Sequence, residues 1–161
     1  MSAIVSNCCG YRYRLEREVR DEGFVVAFFG ANPSRADAAV RDQTDLKWTG
    51  FAFRWGAHKY IAGNLFAFRT PYVEDLVALI DPIGPENDAH LAKIIADADL
   101  LVPCWGDRRK LPATLRPRLN DVTAMLRASG KPLKVFGLTN GADPKHPLML
   151  GYETPLIDWT A

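Results

Sequence analysis

Cysteine is scarce in this 161-residue chain, and Cys8, Cys9 and Cys104 are too few and too unevenly spaced for a disulfide framework or a four-cysteine metal site. A reducing cytoplasm is the expected compartment, with neither a metal nor another cofactor called for. No apolar run reaches membrane-spanning length, and the N-terminus lacks the basic start and apolar core of a secretory signal, so no membrane partner is expected. An excess of one charge is missing too: 20 Lys and Arg against 19 Asp and Glu leave a net charge of +1. That excludes a strongly basic nucleic-acid binder, although a local basic face stays open because an electrostatic footprint depends on distribution. Low-complexity segments, composition shifts and internal repeats are also absent, so residues 1–161 read as a single domain. With 48% hydrophobic residues, a domain of this length buries a real core.

The apolar runs that are present are short, and each ends in polar residues. Phe24-Val25-Val26-Ala27-Phe28-Phe29 is rich in β-branched and aromatic residues and stops at Gly30, the pattern of a strand buried on both faces. Gly30-Ala31-Asn32-Pro33-Ser34 follows. Gly30 allows close backbone approach, Pro33 sets the turn, Asn32 carries a donor and an acceptor, and Ser34 suits a helix N-cap. Ligands of open α/β sheets bind beyond the carboxyl ends of the strands, so these five residues read either as an ordinary strand-to-helix turn or as part of a site. Arg35 to Val40 reads as a short helical turn, and Asp37, Asp42 and Thr44 bring polar groups back toward Asn32. The two carboxylates are candidates for holding a water or acting as a general base; Asp37 equally suits the positive end of a helix.

Before that strand, Tyr11 to Arg17 alternates with the period of a half-buried strand and is expected at a sheet edge, with Arg12, Arg14 and Arg20 on a solvated charged face or meeting phosphates. After it, Leu46 to His58 is aromatic-rich, a buried helix or a pocket wall. Tyr60 to Phe66 is a second strand, carrying Asn64 late in its length, with Arg69 beyond. Asp99 to Gly106 is a third, ending at Trp105 and Gly106, and Asp107-Arg108-Arg109-Lys110 behind it is the densest basic cluster, a candidate phosphate-facing loop. Helices are expected at 73–80, 86–96 and 113–128, a further strand at 134–138, and a last loop holds Lys145 and His146 between prolines. This alternation predicts a three-layer α/β/α domain around a mostly parallel sheet of four or five strands, with Asn32, Asn64, Trp105-Gly106 and His146 at one edge.

Taken in order, Tyr11-Arg12-Tyr13, Asn32-Pro33-Ser34-Arg35-Ala36-Asp37, Asn64-Leu65-Phe66-Ala67-Phe68-Arg69, Cys104-Trp105-Gly106 and His146-Pro147-Leu148 resemble the bacterial and phage family called domain of unknown function 1643, over nearly the whole chain. The same order is similar, more distantly, to the uracil-DNA glycosylase superfamily. There a Gly-x-Asn-Pro or Gly-x-Asp-Pro turn follows the first core strand, an Asn-containing strand end reads the base, and a His-Pro-Ser-type loop closes the pocket. Gly30-Ala31-Asn32-Pro33, Asn64-Leu65-Phe66 with Arg69, and Lys145-His146-Pro147-Leu148 correspond. Leu148 replaces a common serine, Asn32 stands at the acidic water-activating position, and the cysteines that hold an iron-sulfur cluster in some branches are missing.

The resemblance implies a uracil-DNA glycosylase-like fold and hydrolysis of an N-glycosidic bond of a modified or damaged base flipped out of nucleic acid. In that reading Asn32 holds the attacking water, His146 donates to the base oxygen that gains charge, Asn64 pairs with the base edge, and Phe29 or Phe66 stacks on it. Arg108, Arg109 and Lys145 hold backbone phosphates, and Asp37 or Asp42 replaces the missing acid. Two alternatives stay open: a non-catalytic nucleotide or nucleic-acid binding module, and an enzyme acting on a free nucleoside or nucleotide. A duplex enzyme needs a basic pocket mouth and an apolar wedge, for which Leu148 to Leu150 is the candidate. A nucleotide enzyme needs a closed pocket with one phosphate site.

Overall fold

Neither face of the strand Phe24–Gly30 (β3) is polar, and this places it at the centre of the molecule: Val26 and Phe28 bury on one side, Ala27 and Phe29 on the other. The computed structural model describes residues 1–160. With Ser2–Val5 (β1), Arg12–Glu18 (β2), Ala57–Asn64 (β4) and Leu100–Pro103 (β5), β3 forms a five-stranded sheet of order β1-β2-β4-β3-β5. β4 and β5 run parallel to β3, in register Gly30 with Asn64 and Phe29 with Pro103. The ladders β1–β2 and β2–β4 are antiparallel. The sheet is therefore mixed, not mostly parallel, because β1 and β2 are joined by a short turn that permits only antiparallel pairing.

Helices cover both faces. Helix α1 (Gln43–Trp55) starts at the Asp42 N-cap, ends at Gly56 with φ +81°, and packs Trp48, Phe51 and Ala52 against Val26, Phe28 and Tyr60. On the other face α2 (Asn87–Asp97) and α3 (Pro117–Ala128) pack Leu91, Ile94, Leu119 and Val122 against Ala27, Phe29 and Ile61. None of these helices is long and apolar enough to cross a membrane.

Four local expectations are corrected. Arg35 to Val40 is not helical, since Asp37 Oδ1 takes the amide hydrogens of Ala39 and Val40 and this side-chain turn displaces the helix. The helix expected at 73–80 is a 3-10 segment, Val73–Ala78. The strand expected at 134–138 shrinks to Lys134–Val135 (β6), paired with Ile157–Asp158 (β7) outside the main sheet. Finally, β2 is not an edge, because β1 covers it.

Of the arginines expected on a solvated face, Arg20 is exposed, whereas Arg12 is buried and Arg14 half-buried. The β1–β2 register slips so that Ile4 pairs with Arg14 but Val5 with Arg12, leaving Tyr13 as the extra residue of a β-bulge. Tyr13 stacks on His90 and Arg14 pairs with Asp97, both on α2, whereas Arg12 bonds Ala36 in the loop after β3. Arg17 is 1% exposed and pairs with the fully buried Asp45 of α1. The remaining Arg17 donors meet the carbonyls of Asp37, Ala38 and Val40, so this one side chain ties the loop after β3 to both the sheet and α1.

Candidate functional site

The carboxyl ends of β3 and β4 lie side by side, and the chain beyond them stays paired. Leu65 N bonds Gly30 O, Phe66 N bonds Ala31 O, and Thr70 N bonds Pro33 O. A cavity of about 160 Å³ opens at this place. Gly30, Ala31, Asn32, Pro33 and Ser34 form one wall, Asn64 and Arg12 belong to the sheet, Asp42, Thr44 and Trp48 to the start of α1, and His146 to the last long loop. A cavity of roughly 150 Å³ holds a benzene-sized ring, so this space suits one planar ring and not a whole nucleotide.

Asn32, His146 and Asp42 are each held by hydrogen bonds. Asn32 Nδ2 donates to Thr70 O at 2.7 Å and to Pro33 O at 3.2 Å, which orients the amide and leaves Oδ1 as an acceptor. The Leu148 amide donates to His146 Nδ1 at 3.1 Å, so the proton of the neutral ring resides on Nε2. Burial depresses the His146 pKa, nearby Lys110 adds to this, and Asp42 opposes it. Asp42 caps α1 by accepting from Asp45 N, and its other oxygen accepts from Ser34 Oγ at 3.0 Å. Asn64 is 3% exposed and its Nδ2 has no partner among the described residues. Its main-chain oxygen, by contrast, accepts from Asn87 Nδ2, which stiffens the strand end.

The last loop reaches the site through Asp143, which is buried and accepts from the main-chain and side-chain nitrogens of Arg108. Gly106 N bonds Pro144 O in the same region. Beyond His146 a second cleft of about 280 Å³ continues outward, bordered by Lys110, Lys145, Leu148 and Met149. His146 belongs to both spaces.

Residues 12–148 match the family described as Protein of unknown function (DUF1643). The chain belongs to that family. No curated protein and no solved structure matches it. The span shared with the DUF1643 family begins at Arg12 and ends at Leu148, and so includes every residue that lines the 160 Å³ cavity.

Of the residues expected at the site, Gly30, Ala31, Asn32, Pro33, Ser34, Asn64, Asp42 and His146 come together. Asp37 does not: it closes its own turn and lies 3.8 Å from Arg69, so these two expected site residues pair with each other away from the cavity. Phe66 and Phe29 are core residues beneath α2 and α3. Trp48, stacked on Phe28 with ring centroids 5.5 Å apart, is the aromatic wall instead. Trp105 is buried against Trp159, and Gly106 borders the second cleft. Arg108 and Arg109 are spent on Asp143 and Asp107, so among the described residues the basic loop presents Lys110 as its unpaired charge, with Lys145 beside it.

Sequence reasoning read 46–58 as a buried helix or a pocket wall without naming Trp48, and set Arg12 on a solvated face or against phosphates. Trp48 lies about one and two-thirds helical turns beyond the Asp42 cap, on the buried face of α1, and that spacing was available as a signal. Arg12 carried none, because the bulge at Tyr13 breaks the two-residue period that assigned its face.

Proposed function

We propose that the cavity binds a nucleobase ring and that the protein hydrolyses the N-glycosidic bond joining a modified or damaged base to its sugar. The observation that carries this reading is the presence on one ring-sized cavity of a preoriented Asn32 acceptor and a neutral His146 donor. In the reaction a water oxygen attacks the anomeric carbon as the carbon–nitrogen bond breaks and its electron pair leaves with the base. Asn32 Oδ1 accepts a hydrogen from that water and holds it in place; the Asp42 carboxylate takes the proton released. His146 Nε2–H donates to the base oxygen on which negative charge develops, a role whose loss costs on the order of a hundredfold in rate. The Asn64 amide is positioned to read the base edge, and Trp48 offers an aromatic wall.

Nucleic acid is the favoured carrier of the base because Leu148 and Met149 protrude beside His146, Met149 being 91% exposed, and border the same cleft as Lys110 and Lys145. An apolar tip next to unpaired cations is what filling a flipped-out position and meeting phosphates requires. The test incubates the protein with oligonucleotides carrying uracil, hypoxanthine, xanthine or hydroxymethyluracil, and separately with the free nucleosides, and measures released base. Release that is lost in an Asn32→Ala, His146→Ala double variant is the expected result. Release from nucleosides alone would move the substrate to the free-nucleoside class. Saturable binding without release would leave a binding module.

A further inference from the structure

Among the described residues three arginines are buried: Arg12, Arg17 and Arg118. Two of them have a carboxylate: Arg17 grips Asp45 at 3.2 Å, and Arg118 meets Asp88 at 2.6 Å. Arg12 has no carboxylate within bonding distance among the described residues, although it is only 3% exposed. Its Nη1 donates to Ala36 O, and its Nε has no partner. Burying a guanidinium is costly unless its charge and its hydrogens are both met, so a protein that pairs the other two has a reason to leave this one open.

Arg12 lines the cavity together with Asn64, whose Nδ2 is likewise buried and without a partner among the described residues. Asp42 also lines the cavity, but among the described residues it makes no hydrogen bond or ion pair with Arg12; its oxygens accept from Asp45 N and Ser34 Oγ. The β-bulge at Tyr13 is what brings Arg12 to this side of the sheet. The guanidinium is held down to about 10 by burial, with Asp42 favouring its charge and Arg69 opposing it, so Arg12 is a cation throughout the physiological range.

We propose that the ring bound in this cavity is an anion, its negative charge held by Arg12 and its adjacent oxygen by the Asn64 amide. The inference rests on the base-binding reading above and narrows it. The ligand is an oxygen-rich pyrimidine or purine that carries a carboxylate or an ionised ring nitrogen, and an edge made of amino groups is rejected because Arg12 and Asn64 Nδ2 offer only donors. The charge must belong to the base, on its ring or on a carboxylate it carries, because a space for one ring leaves the sugar and any phosphate outside the cavity.

Equilibrium binding to the full chain tests this with closely matched pairs: orotate against orotamide, which has nearly the same size and no charge, and urate against xanthine, which lacks only the 8-oxygen and is mostly neutral at mildly acidic pH, with inorganic phosphate alone as a further arm. The anions are expected to bind about tenfold more tightly or better, as a charge-assisted pair in a desolvated site implies. Arg12→Met should erase that preference and Arg12→Lys should keep part of it, both checked for folding by circular dichroism. Equal binding of charged and neutral partners would overturn the anion inference and leave the base pocket intact. Binding of no ring at all, with or without phosphate, would overturn the base-binding reading beneath it. Should Arg12→Met fail to fold, the comparison of matched ligands in the unaltered protein and in Arg12→Lys still decides.

Discussion

Gly30 and Asn64 face each other at the ends of two parallel strands, and a β-carbon on Gly30 would stand 2.9 Å from Asn64 Oδ1. The atom in the way belongs to the short, buried amide that reads the ligand in the proposed function. Gly30→Ala is therefore expected to displace Asn64 while costing about 1–3 kcal/mol through overpacking. Urea denaturation and ring binding measured on the same variant check this. A variant that binds as well as the parent protein would show that Asn64 takes no part.

The Arg17–Asp45 pair supports the site from behind. Asp45 also accepts from Arg41 and from the Tyr60 hydroxyl, and Arg17 holds the carbonyls of residues 37, 38 and 40. Asp45→Ala leaves Arg17 buried without its counter-ion and is expected to cost about 3–5 kcal/mol. For a domain of this size each kcal/mol lowers Tm by roughly 2–4 °C, which differential scanning calorimetry resolves. Proteolysis should then begin in the freed loop at 35–40.

The depressed pKa of His146 has a definite sign in stability. Between the folded pKa and the usual value of 6.5 the unfolded chain binds a proton that the folded chain refuses, so stability rises with pH through that window. The contribution is fully present above the unfolded pKa and is lost as pH falls to the folded one. Lys110 and Asp42 act on this ring in opposite directions, so Lys110→Ala should narrow the window. Protonation at Nδ1 also ends its acceptance from Leu148 N, which ties the 146–148 turn to the same titration. An NMR titration of the His146 ring, with the pH dependence of urea unfolding in His146→Asn for comparison, measures both.

The two lysines of the second cleft, not the arginine pair, should govern any contact with nucleic acid. Removing Lys110 and Lys145 together is expected to reduce the slope of log K against log salt by about 1.4–1.8, the amount for two phosphates. Arg109→Ala should leave that slope unchanged because its guanidinium is already on Asp107. Arg108→Ala should instead lower stability, since it strips the buried Asp143 of its charged partner. Salt-dependent fluorescence anisotropy with a labelled oligonucleotide separates these outcomes.

Much of this protein was determined by local pattern. The uninterrupted apolar run at 24–29 dictates a strand buried on both faces, and glycine followed by Asn32-Pro33 dictates that the chain turns there. Strand ends carrying Asn32 and Asn64, with a histidine held by prolines, sufficed to bring most of the cavity together, because parallel strands that follow one another deliver their carboxyl ends to the same side. What only the tertiary structure decided concerns which partner each charge finds. Asp37 and Asp42 differ little as residues, yet one closes its own loop and the other caps α1 beside the cavity. Arg108 and Arg109 read as a basic surface, until carboxylates from residues 107 and 143 take them. Arg12 read as solvent-facing or phosphate-facing until the bulge at Tyr13 turned it inward, and it differs from Arg17 in that Asp45 arrives from α1 for Arg17 while no carboxylate comes within bonding distance of Arg12 among the described residues. Period and propensity act over a few neighbouring residues, whereas the pairing of a buried charge depends on side chains tens of positions away, and that is settled only when the sheet and its helices close.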